Sequence, residues 1–134
     1  MSPSTIIQKM LNQDHFSQWL GIKVILIEKG ECKLQMTVNE QMTNGFKIAH
    51  GGICFSLADS CLAFAANSKG HIALTKKTSI QFFKKVNIND QLTAHSSPID
   101  EENRQYMVNI FNQNDEKVAE FNGEVHYTSK MWTV

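Results

Sequence analysis

The sequence predicts an α+β domain in which an antiparallel sheet packs on one long central helix. Three observations carry this expectation. One unbroken helical period runs from the Gly51-Gly52 pair to about Ser68. Strand-like alternation precedes it in one hairpin and follows it in four segments. Those later strands have no helices between them, which favours antiparallel meanders over βαβ units. The 134 residues suit a single domain, 1–134, with one hydrophobic core.

The elements follow in chain order. Ser2 or Ser4 can cap a short first helix, with Ile6, Ile7, Met10 and Leu11 at helical spacing. GIKVILIEKGECKLQMTV then reads as a hairpin turning at Lys29-Gly30, with Leu34, Met36 and Val38 facing inward. After the long helix, residues 72–83 place Ile72, Leu74, Ile80 and Phe82 on one strand face. Residues 91–96 form a weaker strand. Tyr106, Val108 and Ile110 alternate in the next, and Ala119, Phe121, Val125 and Tyr127 in the last. Asn89-Asp90, residues 100–103 and residues 112–115 are the expected turns.

Composition excludes several classes of function. Thirteen Lys and Arg balance thirteen Asp and Glu, so no global field draws a nucleic acid or an anionic membrane. The first residues lack a signal-peptide apolar core, and no run approaches the roughly 20 apolar residues of a membrane span. Cys32, Cys54 and Cys61 are an odd set without C-x-x-C spacing, which argues against a disulfide framework or zinc site and for a reducing, cytoplasmic setting. His15, His71, His95 and His126 are scattered, with no ligand-like pairing, so no metal is expected.

The central helix is apolar over most of its circumference. At 100° per residue, Ile53, Cys54, Leu57, Cys61 and Phe64 form one stripe, widened by Phe55, Ala58, Leu62 and Ala65. Ser56, Asp59, Ser60 and Asn67 make a narrow polar sector, with Asp59 at its edge. Three readings of Asp59 stand side by side: an exposed helix acid, a buried structural acid, or a partly desolvated carboxylate serving as a base. Upstream, His50-Gly51-Gly52 opens the helix where backbone N–H groups and the positive end of the dipole meet. Such an end can bind an anion or a developing oxyanion, although a tight turn explains the glycines equally well. Cys54, four residues after His50, is a conceivable nucleophile, but it projects with the apolar stripe as a buried thiol would.

The stretch 44–68, N-G-x-x-x-x-H-G-G-x-x-F-x-L-A-D-x-x-x-x-x-A-x-N-S, resembles the hotdog-fold acyl-CoA thioesterases, and among them the PaaI type acting on phenylacetyl-CoA. The resemblance implies an antiparallel sheet wrapped around one helix and hydrolysis of an aryl or medium-chain acyl-CoA. It implies that the Gly51 N–H polarises the thioester carbonyl while Asn44 and His50 brace that end of the site. Asp59, supplied by a neighbouring subunit, would be nucleophile or general base, and Thr75 would hold the water or the acid. Gly52, Lys84 and Lys85 are the expected substrate contacts. The family assembles as dimers and commonly tetramers with sites between subunits, and uses no cofactor, coenzyme A being part of the substrate.

One departure stands out. Relatives carry Arg-Pro after the first post-helix strand, whereas this chain has Lys84-Lys85, which reads equally as solvated surface. A non-catalytic acyl-CoA-binding module is the competing expectation, since hotdog domains also serve as sensors and dehydratases. Phe16 and Trp19 either cover the core or line an acyl pocket.

Overall fold

A computed structural model describes residues 1–133. Two helices, α1 (Pro3–Gln13) and α2 (His15–Leu20), lead into the hairpin β1 (Lys23–Glu28) and β2 (Glu31–Thr37). A 3₁₀ turn, Glu40–Met42, precedes α3 (Gly51–Asn67), and four strands follow: β3 (His71–Phe82), β4 (Gln91–Pro98), β5 (Gln105–Phe111) and β6 (Lys117–Met131). All six strands join one antiparallel sheet in the order β1-β2-β4-β5-β6-β3. The predicted hotdog arrangement is therefore present. No helix among the described residues is long and apolar enough to cross a membrane.

The order of strands is one feature that local patterning could not supply. β3 does not neighbour β4; it crosses to the far edge and pairs with β6, while β2 pairs with β4. The helix lies across the sheet, so the chain leaving its C-terminus reaches the opposite edge. Leu57, Ala58, Cys61, Leu62, Phe64 and Ala65 are buried on α3. They face a core that includes Leu34, Leu92, Ala94, Tyr106, Val108, Ile110 and Phe121, all fully buried.

Several expectations change in detail. A second helix, α2, follows α1; Asp14 ends the first and caps the second by accepting the Ser17 N–H at 2.9 Å. On β3, Ala73 rather than Leu74 faces the core, and Leu74 and Phe82 are exposed. Register irregularities at residues 71–73 and 75–77 break the simple alternation of this edge strand. Asn67, expected on the polar face of the helix, is only 1% exposed.

Asn67 is buried because it is fully used. Its amide donates to the carbonyls of Ala63 and Ala73 at 2.8 and 3.0 Å. Its oxygen accepts from the Ala73 N–H and the Trp132 indole, both at 2.9 Å. Ser68 adds a second tie, its single hydroxyl proton shared between the Ala65 and Glu28 carbonyls and its oxygen accepting from the Gly30 N–H at 2.8 Å. The helix C-terminus is thus joined to β3, the C-terminal segment and the β1–β2 turn. Asn67→Ala orphans buried donors and acceptors at several points, and a loss of about 2–4 kcal/mol is expected. Urea unfolding should show this as a lower midpoint at an unchanged slope.

Candidate active site

The helix start is built by a short loop. Asn44 closes a local turn: its side-chain oxygen accepts the Phe46 N–H at 2.9 Å, and its carbonyl accepts from Lys47 at 3.0 Å. Lys47 takes a left-handed φ of 62° to complete that turn. The Asn44 and Ile48 backbones bond at 2.8 Å, and the Ala49 N–H reaches the Val86 carbonyl at 2.8 Å, docking the loop on the segment after β3. The Asn44 NH₂ has no partner among the described residues.

His50 is the N-cap of α3, its Nδ1 accepting the Gly52 N–H at 2.9 Å. A neutral ring therefore carries its proton on Nε2. Of the two glycine N–H groups offered by the sequence, Gly52's is occupied by the cap. Gly51's is bonded to nothing among the described residues. Both glycines are needed for contact rather than for unusual backbone angles. A β-carbon at Gly51 would stand 3.3 Å from the Phe82 ring, and one at Gly52 would stand 3.1 Å from His50 Nδ1. The bare start lets Phe82 and the capping imidazole close on the helix.

A cleft of about 390 Å³ opens here, lined by Asn44, His50, Gly51 and Cys54 on one side and by Phe82 to Val86 on the other. Lys84 and Lys85 both border it. Lys84 is paired with Glu116, whose carboxyl it holds below the usual range. Lys85 has no carboxylate partner among the described residues. Cys54 is 4% exposed, and burial pushes its thiol up to about 11, so it is a packing residue and a poor nucleophile. All three cysteines are free and buried.

Asp59 and Thr75 lie elsewhere. The Thr75 hydroxyl on β3 donates to Asp59 Oδ1 at 3.0 Å, just before the register irregularity at 75–77. Asp59 is half-buried, and desolvation raises its pKa above the usual carboxylate range. The Thr75 hydrogen bond opposes that shift, and the nearby Asp14 charge adds to it. Asp14 was not singled out from sequence, although the D-x-x-S spacing at residues 14–17 marks a helix cap. Its carboxylate is held by Ser17, whose hydroxyl also meets Ser60 on α3 at 2.8 Å. Asp59 follows Gly51 by eight residues along one helix, a rise of about 12 Å. An acid and an oxyanion donor must each lie about 3 Å from the reacting group, so one chain does not bring these two together. No cluster of metal-ligand type is present among the described residues.

The comparisons with known proteins agree with one another. A family model described as the thioesterase superfamily matches residues 46–119. Acyl-coenzyme A thioesterase PaaI of Escherichia coli is 37% identical over 120 residues, covering 87% of this chain and 85% of that protein. The structure of the E. coli PaaI protein from the phenylacetic acid degradation operon superposes with a TM-score of 0.90 at 32% identity, over 98% of this chain and 96% of that one. A Streptococcus mutans structure bound to acetyl CoA superposes with a TM-score of 0.78 at 25% identity, over 83% and 91% of the two chains. The chain belongs to the thioesterase superfamily, as a PaaI-type hotdog thioesterase.

Proposed function

We propose that the protein hydrolyses an aryl or medium-chain acyl-CoA to the free acid and coenzyme A, in a homodimer or homotetramer whose sites form between subunits. The observation that carries this reading is the half-buried, Thr75-bonded Asp59, separated along its own helix from the Gly51 N–H at the helix start, which has no partner among the described residues. Two copies of the chain supply what one lacks: Gly51 from one and Asp59 from the other. The likeness to the E. coli acyl-coenzyme A thioesterase and to a structure holding acetyl CoA supports the substrate class.

In this reading the Gly51 N–H, at the positive end of α3, stabilises negative charge developing on the thioester oxygen. Asn44 and His50 fix the loop and the cap that aim it. Asp59 takes a proton from water or attacks the carbonyl itself, with its raised pKa making it a stronger base than an ordinary carboxylate. Thr75 positions that acid. Coenzyme A leaves as a thiolate, a good leaving group, so the reaction requires no metal or redox cofactor. Lys84 and Lys85 favour the polyanionic coenzyme A arm, while Gly52, its N–H held by His50, borders the groove on the other side of the helix start. Lys85 is the more available cation, because Lys84 is already engaged by Glu116.

Asp59→Asn should lower kcat by roughly a hundred- to ten-thousandfold across an acyl-CoA panel read by thiol release, with the oligomeric state retained. Binding without thiol release in the wild type would instead support the non-catalytic module. The same variant separates a catalytic acid from a structural one. A carboxylate whose folded pKa is raised above its unfolded value stabilises the fold below the unfolded pKa and loses that contribution as pH rises through the folded one. Asp59→Asn should therefore hold or raise the melting temperature near neutral pH, where an acid serving the fold would lower it.

Activity should fall as pH drops through the raised pKa of Asp59. Thr75→Val removes the hydrogen bond that holds this pKa down, so the acidic limb of kcat/KM should move to higher pH. A limb that stays in place would exclude Asp59 as its origin. Lys85→Gln should raise KM about three- to tenfold at low salt with little change in kcat, consistent with ~1 kcal/mol of lost charge pairing. Lys84→Gln should do less. An equal response from both lysines would argue against the division of roles drawn from the Glu116 pair.

A further inference from the structure

A second cleft lies on the other side of the helix start. It measures about 330 Å³ and is lined by Phe16 and Trp19 of α2, by Met42, and by His50, Ile53 and Ser56 of α3. His50 borders both this groove and the lysine-lined cleft, so the two meet at the helix N-cap. Phe16 and Trp19 stand three residues apart on one helix and are stacked, with ring centroids 6.0 Å apart and planes inclined by 20°. They are 53% and 48% exposed, while their neighbours Ser17 and Leu20 are fully buried and fix α2 against the body of the domain. The core therefore does not use these rings. They form a rigid apolar wall on an anchored helix, and a wall left to water at a concave surface is suited to an apolar ligand.

The chemistry of the two clefts differs in the same sense as the two arms of an acyl thioester. One arm is polyanionic; the other is apolar. Lysines border the cleft that holds the Gly51 N–H, and stacked aromatics border the groove across His50 from it. We propose that the groove between α2 and the start of α3 is the acyl subsite, and that Phe16 and Trp19 set its preference for aryl groups. This inference deepens the thioesterase reading and rests on it. A thioester whose carbonyl oxygen meets the Gly51 N–H then lays its sulfur side towards Lys84 and Lys85 and its acyl side across His50 onto the aromatic wall. The groove's volume lies at the small end of small-molecule sites, and a protein partner would need a far larger surface, about 800 Å² per side.

Two readouts test this. In steady state, Trp19→Ala and Phe16→Leu should each lower kcat/KM for phenylacetyl-CoA relative to acetyl-CoA by about tenfold, the scale at which a hydrophobic pocket discriminates. In binding, the non-hydrolysable ketone analogue of phenylacetyl-CoA should change tryptophan fluorescence in the wild type and not in Trp19→Phe, while coenzyme A alone should change neither. An unchanged substrate ratio together with a Trp19 signal indifferent to the aryl analogue would overturn the assignment. So would a Trp19 signal that follows protein concentration instead of ligand, because a second copy would then cover the groove. Failure of the wild type to release thiol from any acyl-CoA would overturn the hydrolytic reading alone, and the fluorescence titration would still decide the subsite.

Discussion

Burial of one helix against one sheet is the constraint on which this molecule depends. α3 carries a continuous apolar surface, and the fully buried Leu57, Ala58, Cys61, Leu62 and Ala65 have no other place to be than against the strands. A buried helix must also satisfy its ends. At the N-terminus the His50 imidazole accepts the Gly52 N–H. At the C-terminus Asn67 and Ser68 reach carbonyls and N–H groups of β1, β3 and the turn after β1. Fixed at both ends, the helix holds the Gly51 N–H and the Asp59 carboxylate at set positions about two turns apart.

The site follows from what this packing leaves uncovered. Small and polar residues of α3, Ser56, Asp59 and Ser60 among them, lie at the margin of the sheet, beside α2 and the edge strand β3. Asp59 is therefore dry enough for its ionised form to be disfavoured, and open enough to meet another molecule. Its environment raises its pKa by burial and by the Asp14 charge, and restrains it by one hydrogen bond from Thr75. An acid that the fold would prefer neutral is a stability cost concentrated where function needs a base.

Charge is arranged locally rather than globally. The chain is neutral overall, yet Lys84 and Lys85 follow the edge strand beside the helix start. Their difference is a matter of neighbours: Glu116 takes Lys84, while no carboxylate among the described residues pairs with Lys85. The Lys84-Lys85 pair, where the resemblance led one to expect Arg-Pro, borders a cleft whose opposite wall is the Asn44–Gly51 loop docked on Val86.

Residue order alone was enough for the long helix, the six strands and the α+β class, while α2 was missed and the hotdog class came from the resemblance of residues 44–68. Hydrophobic period, Gly-Gly at a helix start and a lone acid on an apolar helix are local signals, and local backbone physics reads them directly. The placement of Ala73 over Leu74 was not legible, because register irregularities on β3 reset the alternation. The burial of Asn67 was not legible either, since three of its four hydrogen bonds reach Ala73 and Trp132, outside its own helix. Nor could spacing alone say that, among the described residues, Gly52's N–H is occupied and Gly51's is not, that Lys84 is paired with a carboxylate and Lys85 is not, or that Thr75 reaches Asp59. Tertiary structure decided these points. Each is a contact between residues distant in sequence or a competition for one donor, and such outcomes depend on distances that residue order does not encode.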